Sequence, residues 1–294
     1  MMGKVKAVFG IVLITINTIL VCIPLLFVYP IKLISPGNLR RFWDRKLDHW
    51  VIDRWVGTNR LIIRWLGLTK ISITWSGDQD ISREQWYMVI SNHQSWTDIL
   101  VLQSILFERI PPVKFFTKRQ LIWVPFVGVA MWLLGFPYVR RVDKAQAVRQ
   151  AGKGIKSDRQ TTLDACEKFR SHPTTVLNFL EGTRFTREKH ARQTARFKNL
   201  LNPKVGGLSY VMRGLNNHLH KLIDITIVYP NGTPTFWEFM QGLCPEVNIR
   251  VDCYEIPREL RDLDDDSSQR KLLAPWIDGL WRAKDQLIEE AKAA

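Results

Sequence analysis

The 294-residue chain is poor in cysteine: Cys22 lies in an apolar N-terminal stretch, and Cys166, Cys244 and Cys253 are scattered singly. No Cys-x-x-Cys pair offers the spacing of a zinc site, and no even ladder suggests a disulfide framework. Isolated thiols of this kind fit a reducing compartment. Charge is missing altogether between Lys6 and Lys32, a run longer than the ~20 residues that cross a bilayer core. The run also exceeds the ~7–15-residue apolar core of a secretory signal, and no small-residue cleavage site follows it. Internal repeats and low-complexity linkers are lacking. So are nucleic-acid-binding motifs and the Gly-x-Ser-x-Gly elbow of α/β-hydrolases.

What the chain does carry is positive charge and tryptophan. A formal charge of +14 and a pI near 9.8 call for an anionic partner. Twelve tryptophans point to an anionic membrane surface rather than nucleic acid, because indole rings collect at the water–lipid boundary. Lys4 and Lys6 precede the uncharged run, and Lys32, Arg40, Arg41, Arg45 and Lys46 follow it. The larger cluster favours a main body on the cytoplasmic side. Pro24 and Pro30 near the end of the run leave two geometries open, a full span and a shallow hairpin in one leaflet. From Asn38 to Leu68, Trp43, Leu47, Trp50, Val51, Trp55, Ile62 and Trp65 recur at helical spacing among arginines and lysines. This pattern predicts an amphipathic helix, lying either at the membrane interface or on the domain itself.

Beyond residue 68 the texture changes. Ile71–Trp75, Trp86–Ile90, Lys114–Thr117, Thr174–Leu180, Leu222–Tyr229 and Val247–Tyr254 read as strands. Helices are expected over Asp98–Phe107, over Val142–Phe169, from Leu208, and in a C-terminal segment marked by Leu272, Trp276, Leu280, Lys284 and Leu287. Asp262–Asp266 reads as an acidic loop. Trp123–Tyr138, apolar and broken by proline and glycine, suits either core or a membrane-facing wall. Strands alternating with helices predict one α/β domain over 69–294, with a mixed, mostly parallel sheet flanked by helices. Residues 1–68 form the membrane segment and the interfacial helix.

Two segments carry chemistry. In Asn92-His93-Gln94-Ser95-Trp96-Thr97-Asp98 the histidine and aspartate are five residues apart, about 140° around a regular helix, so they share no helical face. If Ile90 closes a strand and Ser95-x-x-Asp98 opens a helix as a capping box, His93 precedes the helix and bends back onto Asp98. A carboxylate so placed fixes the imidazole tautomer and supports a general base. The plainer reading is a helix cap beside a polar turn residue. The second segment, Glu181-Gly182-Thr183-Arg184, follows an apolar strand, at the strand end where α/β sheets bind ligands. Its guanidinium can grip a phosphate through paired hydrogen bonds, and Gly182 permits a tight turn. The plainer reading is a surface turn with a Glu–Arg pair.

The two motifs, in this order, resemble the Asn-His-x-x-x-x-Asp and Glu-Gly-Thr-Arg signatures of the 1-acyl-glycerol-3-phosphate (lysophosphatidate) acyltransferase family. Phe116–Leu121 with Pro125 and Gly128 resembles the family's lysine-containing segment. Gly135–Arg141 resembles its G-x-x-F-I-x-R block, with Tyr138 where phenylalanine is usual. Ile227-Val228-Tyr229-Pro230 takes the position of the final V-P block, keeping the proline but not the residue before it. The resemblance covers roughly residues 86–230, and the motif variants look most like a bacterial branch close to lysophospholipid and lysocardiolipin acyltransferases. It implies a glycerolipid-acyltransferase-like domain in which His93 is the base and Asp98 orients it. Lys118, Arg141, Glu181, Gly182, Thr183 and Arg184 would form the acceptor-phosphate site. The implied partners are acyl-CoA or acyl carrier protein, a lysophospholipid and the membrane; the acyl donor is a co-substrate, and no metal or tightly bound cofactor is implied. The implied location is a bacterial inner membrane, with the site facing the cytoplasm. Two other readings stand beside this one. The first is a hydrolase using Ser95 with His93 and Asp98, and the second is a catalytically silent lipid-binding protein.

Overall fold

A computed structural model gives the fold and describes residues 1–77, 80–139, 157–194, 196–261 and 266–293. Helices α1 (Met2–Ile34), α2 (Gly37–Leu47) and α3 (Asp53–Trp65) open the chain. Next come β1 (Lys70–Gly77), β2 (Trp86–Ser91), α4 (Thr97–Leu106), β3 (Val113–Phe115), β4 (Thr117–Lys118), α5 (Val127–Leu133) and β5 (Tyr138–Val139). After these lie α6 (Asp158–Phe169), β6 (Thr175–Phe179), α7 (Arg187–Ala191), α8 (Gly206–Leu215) and β7 (Leu219–Val228). The chain ends with α9 (Phe236–Gln241), β8 (Glu246–Glu255), α10 (Arg258–Arg261) and α11 (Asp266–Ala293).

The main sheet has the order β1-β8-β7-β2-β6-β3. Strands β7, β2, β6 and β3 are mutually parallel; β8 runs antiparallel to β7 and carries β1 parallel to itself. The expected mixed, mostly parallel sheet flanked by helices is therefore what forms. Strand β2 is covered on both faces, which is why its sequence is a continuous apolar run rather than an alternation. Alternate side chains still divide: Tyr87 and Val89 join one core with α4 and Phe239, while Met88 and Ile90 join a second with Phe169, Val211 and Trp281.

Helix α1 runs unbroken through Pro24 and Pro30, and the chain turns only at Ser35–Pro36. No hairpin forms within the apolar run. Lateral packing anchors the helix: Asn17 Nδ2 donates to Trp55 O (3.1 Å) and Asn59 Oδ1 (2.9 Å), and Trp55 Nε1 donates to Thr18 Oγ1 (2.9 Å). Gly10 lies so close to Met240 and Leu66 that a Cβ would clash with both. The opposite side exposes Phe9, Val12, Ile16, Leu20, Ile23 and Phe27. Among the described residues, α1 is the helix long and apolar enough to cross a membrane.

The single helix expected over Asn38–Leu68 is instead α2 and α3 joined by a π-helical turn, Asp48–Ile52. That wider turn brings Asp48 inward, where its Oδ2 meets Lys114 Nζ (2.6 Å) and His172 Nε2 (2.8 Å). Leu47, Val51 and Ile62 are buried, whereas Trp50 and Trp65 are exposed, so the predicted apolar stripe is shared between protein and exterior. Trp123–Tyr138 is divided in the same way. Ala130, Leu133, Leu134 and Phe136 are core, while Trp123, Val124, Phe126, Val129 and Trp132 form an outer apolar wall beside α1. The strand expected over Lys114–Thr117 breaks at Phe116 into β3 and β4, which join different sheets. Of the helix expected over Val142–Phe169, the part Asp158–Phe169 forms as α6, and 142–156 lie outside the described residues. Of the acidic loop, 262–265 also lie outside them, and Asp266 opens α11. All four cysteines are buried free thiols.

Candidate active site

Parallel register brings the two motifs together. Ser91 pairs with Phe179 on one side and with Ile225 on the other, so β2 and β6 end at the same level while β7 runs on to Val228. His93 and Glu181 each follow two residues past that level. Consequently His93 N donates to Glu181 Oε1 (2.8 Å), and Phe185 N donates to His93 O (2.7 Å). Asn92 fixes the third strand, its amide donating to Ile227 O and accepting from Ile227 N, both at 2.9 Å.

His93 bends back as its spacing predicts. Its Nδ1 lies 2.8 Å from Asp98 Oδ2, an oxygen that also accepts Gln94 N (2.6 Å) and Ser95 N (2.9 Å). Asp98 Oδ1 accepts from Tyr229 Oη (2.6 Å). Asp98 is fully buried. The tautomer that donates from Nδ1 to this carboxylate directs the Nε2 lone pair away from Asp98. The ring stacks on Phe179, with centroids 3.9 Å apart and 15° between planes. The predicted capping box is half formed. Asp98 reaches back to Ser95 N, but Ser95 Oγ accepts from Thr97 N (3.3 Å) and donates to Pro234 O (2.6 Å). Asp98 is drawn inward by His93 and Tyr229, and the buried Ser95 hydroxyl is engaged elsewhere, which counts against its use as a nucleophile.

Glu181-Gly182-Thr183-Arg184 forms the facing wall. Gly182 has φ +70°, a left-handed turn that a side chain would strain. Glu181 is buried, its second oxygen accepting Leu201 N (3.0 Å). Burial pushes its carboxyl up to about 8, with the two backbone N–H groups pulling the other way. Arg184 stacks over the Trp96 ring (4.7 Å). Lys189, absent from the predicted set, donates to Thr183 Oγ1 and Arg184 O, both at 2.8 Å. Desolvation and the charges of Arg184 and Lys118 hold its ammonium below the usual lysine range. Lys204 also arrives beside Gly182, anchored by its own N–H on Leu180 O (2.8 Å). The structure thus groups Lys118, Thr183, Arg184 and Lys189 with one another and sets Lys204 beside Gly182; Arg141 lies outside the described residues. Neither added lysine sits in a recognisable pattern. Tyr229 did carry a signal, as a departure from the expected V-P block.

An acyltransferase family model matches residues 72–234, more than half of the chain. The chain belongs to the acyltransferase family. This bears out the resemblance carried by the two motifs. Among relatives, the 1-acyl-sn-glycerol-3-phosphate acyltransferase delta of Homo sapiens is 28% identical over 214 residues, covering 69% of this chain and 52% of its own. The 1-acyl-sn-glycerol-3-phosphate acyltransferase 3 of Arabidopsis thaliana is 23% identical over 218 residues, covering 69% and 53%. This chain therefore spans about half the length of the curated relatives it matches. The solved structure of the 1-acyl-sn-glycerophosphate (LPA) acyltransferase PlsC from Thermotoga maritima shares the fold, with a TM-score of 0.51 and 17% identity over 96% of this chain and 98% of the other.

Proposed function

We propose that this acyltransferase moves a fatty acyl group from acyl-CoA or acyl carrier protein to the sn-2 hydroxyl of lysophosphatidate, making phosphatidate. The observation that carries the reading is the His93–Asp98 contact at 2.8 Å, joined through the His93 N–H and Glu181 to the Glu181-Gly182-Thr183-Arg184 turn. His93 Nε2 takes the acceptor's hydroxyl proton while Asp98 steadies the imidazolium. The oxygen attacks the thioester carbonyl, and the tetrahedral adduct then expels the thiolate, which takes the proton back from His93 and leaves as thiol. Arg184, with Lys118 and Thr183, holds the acceptor phosphate, and the 1-acyl-sn-glycerol-3-phosphate acyltransferase names of the relatives support that acceptor. Glu181 shapes the site by fixing the His93 backbone. The exposed apolar side of α1 and the wall around Trp132 support attachment to an anionic membrane, and we assign the protein to a bacterial inner membrane with this site on the cytoplasmic side. An apolar cavity of about 100 Å³, lined by Val21, Cys22, Trp55, Met131 and Phe136, is suited to part of an acyl chain.

The test is purified protein with one labelled acyl-CoA, and in parallel the same acyl group on acyl carrier protein, against lysophosphatidate, lysophosphatidylglycerol and lysocardiolipin. Products are resolved by mass spectrometry and thiol release is followed in parallel. Labelled phosphatidate formed fastest, with thiol release requiring both substrates, is the expected result. Preference for another headgroup moves the acceptor assignment, thiol release without acceptor indicates hydrolysis, and no release from either donor class would leave a lipid-binding protein.

A further inference from the structure

We infer that Tyr229 is a positioning residue for transfer, acting through Asp98 to hold His93 as a base; this rests on the role proposed for His93. Tyr229 Oη donates to Asp98 Oδ1 at 2.6 Å. It is the side-chain contact of that oxygen, because His93 and the backbone N–H groups of Gln94 and Ser95 all converge on Oδ2. A carboxylate pinned on one oxygen alone keeps freedom to rotate about Cβ–Cγ, and the His93 contact shares the pinned oxygen. The phenol removes that freedom.

Three further observations support the assignment. The phenol oxygen also meets Thr97 Oγ1 at 3.0 Å; since the phenol proton goes to Asp98, Thr97 donates to Tyr229, completing a chain Thr97→Tyr229→Asp98 that ends opposite His93. Tyr229 is 4% exposed, and burial, followed by the Asp98 charge, pushes the phenol above the tyrosine range, so it stays a donor at working pH. Its place is fixed from the strand side as well. Asn92 clamps Ile227, and Tyr229 follows two residues on, on the face that packs with Ile223, Ile225 and Ile227 beneath α4. A purely apolar residue here would fill the same core and leave Asp98 Oδ1 without this donor.

The experiment uses the full chain, with Tyr229→Phe, Thr97→Val and His93→Ala compared with wild type. Assays use one acyl-CoA and the lysophospholipid that wild type acylates fastest, and melting is followed by circular dichroism. Loss of a charge-assisted hydrogen bond predicts that Tyr229→Phe lowers kcat about tenfold to a hundredfold. KM for both substrates is expected to stay near wild type, since the residue touches neither. Thr97→Val, which keeps the phenol but removes its donor, is expected to lower kcat severalfold with the same split. Wild-type kcat in Tyr229→Phe overturns the inference, as does a loss fully accounted for by unfolded protein. If Tyr229→Phe does not fold, Thr97→Val decides: unchanged kcat overturns the inference. Transfer surviving His93→Ala overturns the base itself, whereas a dead His93→Ala beside a wild-type Tyr229→Phe overturns only the role of Tyr229.

Discussion

Two histidine–carboxylate contacts of equal length, 2.8 Å, stand at opposite ends of the parallel strands. His93 meets Asp98 just after β2, and His172 meets Asp48 just before β6. His172 spends both ring nitrogens, Nε2 on Asp48 and Nδ1 with Ser171 Oγ (3.0 Å). Lys114 adds a cation to the same carboxylate. Burial opposes ionisation of Asp48, yet Lys114 and His172 outweigh it and hold the carboxyl below its ordinary range. Around Asp98 the picture differs: besides His93, its partners among the described residues are the Tyr229 hydroxyl and the backbone N–H groups of Gln94 and Ser95, and none is a lysine. A His–Asp contact alone is therefore no sign of catalysis. What distinguishes the two is whether a lysine already pairs with the carboxylate and whether both imidazole nitrogens are engaged.

Removing each histidine in turn separates the two contacts. His93→Ala is expected to lower kcat by ~10²–10⁴-fold while the fold survives. His172→Ala is expected to leave kcat per folded molecule unchanged and to lower only the melting temperature. Equal kinetic losses in the two variants would show that the distinction drawn from their surroundings is wrong. Next in size is Asp48→Ala, which strands the Lys114 ammonium, 4% exposed and bonded otherwise to Leu134 O. Leaving a buried charge unpaired costs about 3–5 kcal/mol, read by denaturant unfolding. Asp48→Ala combined with Lys114→Met should recover much of that loss. A mild single variant would mean that water reaches Lys114.

How much of this was legible in the sequence follows from the range of the forces involved. The strands, the bend of His93 onto Asp98 and the turn at Gly182 are local, set by apolar runs, a short spacing and one glycine. The Asp48–Lys114–His172 cluster joins three segments far apart in the chain, and nothing in the arginine-rich helix signals that one of its acids turns inward. Lys189 and Lys204 were missed for the same reason: their positions depend on how the loops after β6 close. The Asn38–Leu68 stripe left both coverings open because burial against protein and burial in lipid leave the same helical periodicity. The periodicity shows that a face is covered and not what covers it.

Arg184 sharpens the catalytic half of the comparison, because a free imidazole edge is useful only beside a substrate anchor. Arg184→Ala is expected to raise KM for the lysophospholipid roughly tenfold to a hundredfold, with less effect on the acyl donor, as a lost charge-assisted hydrogen bond of ~1.5–3 kcal/mol requires. Arg184→Lys should recover only part, since an ammonium lacks the planar fork and stacks less well on Trp96. Titrating each substrate at saturation of the other decides. Weakened acyl-CoA alone would assign the guanidinium to the donor, and a fall in kcat at constant KM would make it a stabiliser of the transition state.

The gentlest effect is a slope with pH, and it separates the buried acids themselves. Glu181 is raised from an ordinary 4.5 to about 8 in the folded protein, whereas Asp48 is lowered. An acid raised on folding binds its proton more tightly in the native state, so its stabilisation is complete below about 4.5 and is lost as pH rises through about 8. Asp48 has the opposite sign: its contribution is present above its unfolded value and disappears as pH falls through the lowered native value. Denaturant midpoints measured between pH 5 and about 8 should therefore decline with pH in wild type. Glu181→Gln removes the titrating group, so the decline should flatten, even though its amide turns a donor toward one of the two N–H groups of His93 and Leu201 and lowers stability throughout. Asp48→Asn should leave the decline in this window intact and alter only the acid side. If Glu181→Gln kept the wild-type slope, the His93 and Leu201 N–H groups would be holding Glu181 ionised, and the carboxylate that fixes the backbone of His93 would carry a full negative charge beside the lysines.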